Sequence, residues 1–446
     1  MTAVAGRLAA SWRSGPLAVR SFRLLAGGQF ASTIGDFCYA VALPWLVLST
    51  HGGAILLGIV LACYGVPRTV LIPVGGVLAD KVGPRTLMLA ADAARCVLVA
   101  ALALLAARHT ASLAALGPIA ALIGAGEGLF IPASFAIMPS LLDGERLAAG
   151  NALSTAAVQA GSLLGPALGG ALVAVTRAST AAFAVDAASF GVSALTLLLI
   201  PRRAVRGSMA AEAAAADEAA DGAGDADGAA ADQGSVLALL KRSRALQVIL
   251  VVVIAANLAS GGMGEVALPS LAHASFGAAG YGALLACFAV GGVAGTLSAA
   301  RTGHLRAPMM FVSAVFLTEA AGIALIPYLG GEAGAAAALC VVGACNGLGN
   351  VTALTVLQKS VSPRLLGRVM GTLMLCSFGS FPLSVAVSGV LVHHFGPTPF
   401  FPAAGGLVAV AILGGLTQRE FRVFGATGNT RAPGASAAAA ETRTVG

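Results

Sequence analysis

Residues 75–85 read GGVLADKVGPR. Asp80, Lys81 and Arg85 stand there among Gly75, Gly76, Gly83 and Pro84, in a chain of 446 residues that is 58% hydrophobic and only 10% charged. A soluble chain carries about 25% charged residues. A charged, glycine-rich turn in so apolar a sequence marks a place where the chain leaves hydrocarbon. Apolar stretches of about 18 residues or more flank it and recur along the chain, each long enough to cross about 30 Å of hydrocarbon as a helix. The pattern predicts an all-α polytopic membrane protein. A transmembrane barrel would show alternating segments of ~10 residues instead.

Twelve spans are predicted. The first six cover 22–48, 54–79, 86–107, 112–138, 148–175 and 178–200. The second six cover 246–272, 280–300, 307–329, 334–357, 366–391 and 398–417. Lys and Arg collect on the cytoplasmic side of membrane proteins. Of the 26 here, all but Arg68, Arg95, Arg108 and Arg177 fall at the termini, in the connections that follow even-numbered spans or, as Arg23 and Arg368, in the first residues of spans 1 and 11. Both termini are therefore expected in the cytoplasm, which requires an even number of spans. The first span is too long for a signal peptide, holds Asp36, and lacks a good small-residue cleavage site, so it is expected to be retained.

The domains expected are a cytosolic segment 1–21, a six-helix bundle 22–200, a cytosolic linker 201–245, a second bundle 246–418 and a cytosolic tail 419–446. The linker contains AEAAAADEAADGAGDADGAAADQG over 211–234, with no aromatic residue. Such a segment buries too little apolar surface to offset its ordering entropy. The net charge of +7 follows from membrane topology rather than nucleic-acid binding. The halves echo each other. Gly295, in GTLSAARTGHLR, stands 219 positions after Gly76; Arg364 stands 218 after Arg146, and Pro382 stands 216 after Pro166. A shared offset argues for a duplicated six-helix unit, a construction common in transporters with a midplane site.

Several chemistries are excluded. No Lys follows a Gly, so a GxxxxGK[ST] phosphate loop and an ATP-driven pump within this chain are ruled out. There is no HExxH and no Cys/His pair at metal spacing, so neither a metal nor any other cofactor is expected. The seven cysteines lie in apolar segments and read as packing residues. His393 and His394, at a helix end, read as interfacial.

The opening motif, Gly76-x-Leu78-Ala79-Asp80-Lys81-x-Gly83-x-Arg85, resembles the loop between helices 2 and 3 of the major facilitator superfamily; Pro84 stands where that family carries a basic residue. The resemblance implies two pseudo-symmetric six-helix bundles and a latch in which the acid and the bases contact helix 11. Gly76, Asp80, Lys81, Gly83 and Arg85 would be gating residues, with Asp92 and Arg95 joined to that network because they lie two to four turns away. The residues themselves suggest a tight glycine turn, Pro84 in the first turn of span 3 and Asp80 near its positive end. Within span 5, Gly161-Ser-Leu-Leu-Gly165-Pro166-Ala-Leu-Gly169-Gly170 is similar to the GxxxGPxxGG signature of proton-coupled exporters. This would place those glycines and Pro166 in gating and favour export over uptake. Small residues at i and i+4 also read simply as close helix packing. The stretches FRLLAGGQFASTIGDFCYAVALPWLVL, PASFAIMPSLLDGERLAAGNAL and LLGRVMGTL resemble the branch that includes siderophore exporters of the enterobactin type and macrolide-type efflux proteins.

A charge at mid-helix costs about 2.5–3.5 kcal/mol on insertion scales, so it normally faces a cavity or a partner. Asp36, Arg68, Glu127 and Glu319 share a depth band by helix rise. Span 1 carries Gln29, Thr33 and Asp36 in one polar stripe, with Ser32 and Tyr39 beside it. Asp36 and Glu127 are read as the proton and substrate region, with Arg68 as counter-ion. Desolvation favours the neutral form of a carboxylate, the property a proton carrier needs. Glu127, in the stretch GAGEG, is assigned that role; a static ion pair with Arg68 is the alternative. Asn257 and Asn346 are further cavity candidates, with Asn346 standing 219 positions after Glu127, and Asn350 is a weaker one. Glu265 reads as interfacial, and Asp186 in span 6 receives no role.

The expectation is a monomeric, multi-pass cell-membrane transporter in contact with lipid, exchanging protons for a small organic molecule, drug-like or a secondary metabolite, with no enzymatic reaction. A siderophore exporter of the same superfamily is one rival. A transporter-like sensor or scaffold that moves nothing is another, and costly midplane charges argue against it.

Overall fold

The computed structural model describes residues 15–49, 53–142, 144–201, 243–302, 307–361 and 363–425. The linker expected over 201–245 lies almost wholly outside these, as do most of the N-terminal segment and the C-terminal tail.

Apolar length dictates the elements. Among the described residues the chain forms α1 (Arg20–Leu48), α2 (Gly53–Val82), α3 (Pro84–Ala107), α4 (Leu113–Leu141), α5 (Gly144–Thr176) and α6 (Thr180–Leu199). There follow α7 (Arg244–Gly262), which continues through a π-helical turn at Met263–Ala267 into Leu268–Ser275, and α8 (Gly277–Ser298). The last four are α9 (Pro308–Leu325), α10 (Glu332–Ser360), α11 (Pro363–Phe395) and α12 (Phe400–Leu416). Eleven of these are long and apolar enough to span a membrane, and α12, at 17 residues, falls at the short end of the spanning range. No strand occurs among the described residues. Helices satisfy their own backbone hydrogen bonds, which hydrocarbon cannot do for them. Apolar residues such as Val97, Phe135 and Val410 are accordingly exposed.

The opening motif differs from the expected loop. Helix α2 runs through Asp80 and Lys81 to Val82, and the turn is Gly83 alone. Gly83 adopts φ +86°, a left-handed conformation that favours glycine. Its N–H donates to the Ala79 carbonyl at 2.9 Å, and its own carbonyl accepts from Thr86 N at 3.1 Å. Pro84, whose missing N–H costs nothing there, opens α3 as expected.

The described structure divides into two compact units. The first contains the described residues of 1–224 with Gly261–Ala289 and Phe381–Phe400. Within it α1 packs on α5 and α6, α2 on α4, and α3 on α4 and α6. A core of Phe22, Leu25, Met88, Ile137, Met138, Leu197 and Ile200 fills its Gly83 end. Two pairs of glycines bring backbones together in the same unit. A Cβ on Gly58 of α2 would meet Gly389 Cα of α11 at 3.0 Å, and one on Gly170 of α5 would meet Gly282 Cα of α8 at 2.9 Å. Gly389 lies 219 positions after Gly170, the same spacing as from Gly76 to Gly295. The second unit contains the described residues of 225–260, with Val290–Ser380 and the described residues of 401–446. There α9 packs on α10, and Met309, Val312 and Phe421 form a small core.

Candidate functional site

The first unit encloses a cavity of about 440 Å³. Its wall carries Asp36, Thr33 and Tyr39 from α1, Tyr64 and Arg68 from α2, and Glu127 from α4. Arg95 from α3, Asp186 and Phe190 from α6, Glu265 from the π turn of α7, Phe381 from α11 and Phe37 from α1 complete its polar and aromatic lining. Five of the residues expected to form the cavity thus meet there: Asp36, Thr33, Tyr39, Arg68 and Glu127. Arg68 Nη2 lies 3.0 Å from Glu127 Oε1, and the Tyr64 hydroxyl donates to Glu127 Oε2. Glu127 therefore has both oxygens engaged on α2. Asp36 is exposed to the space it lines.

The sequence around Glu127 explains the pair. In GAGEG, Gly124 and Gly128 stand one helical turn apart on α4. A Cβ on Gly124 would fall on the Tyr64 carbonyl, and one on Gly128 on the Arg68 carbonyl. Gly126 faces α3, where a Cβ would lie 3.1 Å from Arg95 Cγ. The glycines let α4 touch the backbone of α2 at the two residues that hold Glu127. They set the pairing distance instead of merely leaving the acid room.

Arg95 and Asp92 are placed differently from the expected gate network. Both are buried in the middle of α3, away from the exposed Asp80. Arg95 Nη2 lies 2.5 Å from Asp92 Oδ1, and the Ser193 hydroxyl of α6 donates to Asp92 Oδ2 at 2.6 Å. The guanidinium is sandwiched between the rings of Phe130 and Phe190, whose centroids lie 4.6 and 4.3 Å from its central carbon. The reason is helical geometry: positions 92 and 95 share the face of α3 that packs on α4 and α6. Asp92→Ala is expected to destabilise the purified protein by about 3–5 kcal/mol, because it leaves a buried cation unpaired. Ser193→Ala, which removes one neutral donor, should cost about 1–3 kcal/mol. Thermal unfolding in detergent measures both, and equal losses would refute this ranking.

Arg85 is likewise buried, and its Nη2 donates to the Leu198 carbonyl at 3.0 Å. It ties α3 to the C-terminal end of α6, where a cation is favoured. Asp80 and Lys81 are exposed on the last turn of α2, and α3 has no side-chain cap. The small-residue motif of α5 lies against α1. Added Cβ atoms would meet Thr33 from Gly161, Phe37 from Gly165 and Cys38 from Gly169. The Cys38 thiol donates to the Gly165 carbonyl at 3.4 Å. Gly76 has open space around it, and Pro166 is buried within α5. All seven cysteines are free.

Other expected cavity residues are not on this wall. Gln29 is not on the cavity wall; its backbone carbonyl takes the hydroxyls of Ser32 and Thr33 at 3.1 and 2.8 Å. The polar stripe of α1 thus partly satisfies itself. Asn257, Glu319 and Asn346 belong to the second unit. Asn257 Nδ2 donates to Val253 O at 2.8 Å and to Ser377 Oγ at 3.3 Å. Asn346 Nδ2 donates to Glu319 Oε1 at 2.9 Å, and Asn346 Oδ1 accepts from Asn350 Nδ2 at 3.1 Å. These are helix-to-helix and within-helix bonds.

Three polar cavity residues are given no site role by the sequence pattern. Tyr64 is legible in principle, one turn before Arg68 on the same face of α2. Asp186 has no visible partner in sequence. Glu265 reads as interfacial from its place near a helix end, but the π turn of α7 carries it on the cavity wall. Such single-turn π segments leave no periodicity to read.

The sequence profile of the Major Facilitator Superfamily matches residues 25–385. The uncharacterized MFS-type transporter YfiS of Bacillus subtilis (strain 168) is 25% identical over 394 residues, 86% of this chain and 89% of its own. A shorter match, 29% identical over 150 residues, covers 34% of this chain and 31% of the putative multidrug resistance protein MdtD of Citrobacter koseri. The crystal structure of a peptide transporter POT in complex with sulfate is similar with a TM-score of 0.67 at 17% identity, covering 91% of this chain and 96% of the other. With the profile covering most of the sequence and the helical architecture alongside it, this chain belongs to the Major Facilitator Superfamily.

Proposed function

We propose that this chain is a proton-coupled exporter of a small organic molecule, drug-like or a secondary metabolite, working by alternating access. The observation that supports this best is Glu127, a carboxylate held by Arg68 and Tyr64 on the wall of a membrane-depth cavity. Such a group has two states with different partners. Ionised, it holds the guanidinium; protonated, it gives up its half of the ion pair. Arg68 is then drawn toward other carboxylates of the same cavity, Asp36 among them, so proton uptake reshapes the site. The small-residue motif of α5 and the partial similarity to a protein named as a putative multidrug resistance protein favour export.

The distribution of Lys and Arg supports a cell-membrane protein with both termini in the cytoplasm. It works there as a monomer, with the proton gradient as its energy source and no cofactor. The test is reconstitution into proteoliposomes with an imposed pH gradient and a panel of drug-like compounds. The expected result is substrate movement against its gradient that stops when the pH gradient is collapsed. Flux indifferent to that collapse would overturn the proton coupling, and no movement of any compound would favour the sensor reading.

A further inference from the structure

The cavity has more acids than its own cations can match. Arg68 is engaged by Glu127 at 3.0 Å, and Arg95 by Asp92 at 2.5 Å. Asp36, Asp186 and Glu265 face the same space, and none of the three forms an ion pair among the described residues. Asp186 is 1% exposed. Its carboxylate accepts one described hydrogen bond, a long one of 3.4 Å from Ser189 Oγ, and that hydroxyl also donates to Asp186's own carbonyl at 2.7 Å. On the same wall the buried Tyr39 hydroxyl has no hydrogen-bond partner among the described residues. Carboxylates kept at membrane depth without a cation are costly unless a ligand or a proton supplies the charge.

We infer that the transported molecule is an organic cation, an amine or a quaternary onium with an apolar body, received by Asp36, Asp186 and Glu265. The inference rests on the transport reading above. The chemistry of the remaining wall agrees. Arg95 covers Phe130 and Phe190, and Arg68 lies 5.8 Å from the Tyr64 ring centroid. Phe37, Tyr39 and Phe381 line the cavity with no cation over their rings among the described residues, and a cation over an aromatic face is attracted by its quadrupole. The volume of about 440 Å³ suits a drug-sized molecule, far more than a bare inorganic ion. An anion would meet two guanidiniums already matched and three carboxylates that repel it.

The test compares three probes of similar shape and different charge on the purified full-length chain in detergent, by equilibrium dialysis against protein-free micelles. Tetraphenylphosphonium is expected to bind at least about tenfold tighter than neutral triphenylphosphine oxide or anionic tetraphenylborate, a gap of about 1.4 kcal/mol. Asp186→Asn and Asp36→Asn should each shrink that gap, while thermal unfolding reports whether the variants stay folded. Equal binding of the three probes by the unmodified chain, or no binding of the phosphonium, overturns the inference, whatever the variants do. Proteoliposome flux separates this from the reading it rests on. Cation-selective binding without flux would refute transport alone. Proton-coupled flux of a neutral compound, with the phosphonium neither bound nor moved, would refute the cation alone.

Discussion

Glu127→Gln is expected to abolish uphill transport while leaving downhill movement of the same substrate measurable. Gln keeps the shape and still accepts a bond from Tyr64, but it neither carries a proton nor holds Arg68 by charge. Removing one partner of a buried ion pair costs about 3–5 kcal/mol, and the 24% and 19% side-chain exposure of Glu127 and Arg68 puts this pair toward the lower figure. The predicted signature is therefore twofold: a loss of proton-driven accumulation by about tenfold or more, and a flat response of the residual flux to pH. Tyr64→Phe removes one hydrogen bond to a charged group, worth about 1.5–3 kcal/mol, and should weaken transport without flattening its pH response. Glu127→Gln with normal accumulation and a normal pH profile would leave Glu127 and Arg68 as a static brace and remove Glu127 as the proton carrier.

Gly124→Ala is expected to do nearly as much damage with a single methyl group. The added carbon falls on the backbone carbonyl of Tyr64, an atom that no rotamer change can move. Helices α2 and α4 must separate, at a cost of about 1–3 kcal/mol for overpacking. Because the same contact sets the reach from Glu127 to Tyr64 and Arg68, the substitution should lower the melting temperature and the proton-driven flux together. Gly76→Ala is the control, since a Cβ there meets nothing within 4 Å. A Gly124→Ala protein with unchanged melting and flux would show that the glycine contact does not position the pair.

The features legible in composition and spacing follow from the solvent. Hydrocarbon demands long apolar runs and self-satisfied backbones, so the helices are visible as composition, and Pro84 is visible as the start of α3. The shared depth of Asp36, Arg68, Glu127 and Glu319 is legible from helix rise, but not which of them meet. The extent of α2 is not. Asp80 and Lys81 look like loop residues, yet a helix reaching water keeps charged residues in its last turn, and Gly83 alone supplies the positive φ. Proximity in sequence to Asp80 suggests a gate role for Asp92 and Arg95, but their shared helix face turns them into the protein, with Arg95 between Phe130 and Phe190.

Sequence alone therefore determined the class of molecule, the helix count, the family resemblance and the depth of the charges, since each depends on one residue's solvent or on spacing along one helix. Tertiary structure decided which charges share a space. It brought Tyr64 and Arg68 to Glu127 through Gly124 and Gly128, drew Asp186 and Glu265 to the same cavity, and paired Glu319 with Asn346 within the second unit. Those pairings depend on the rotation of each helix about its axis and on how closely backbones approach. Both are settled by packing between segments distant in sequence, which no local pattern records.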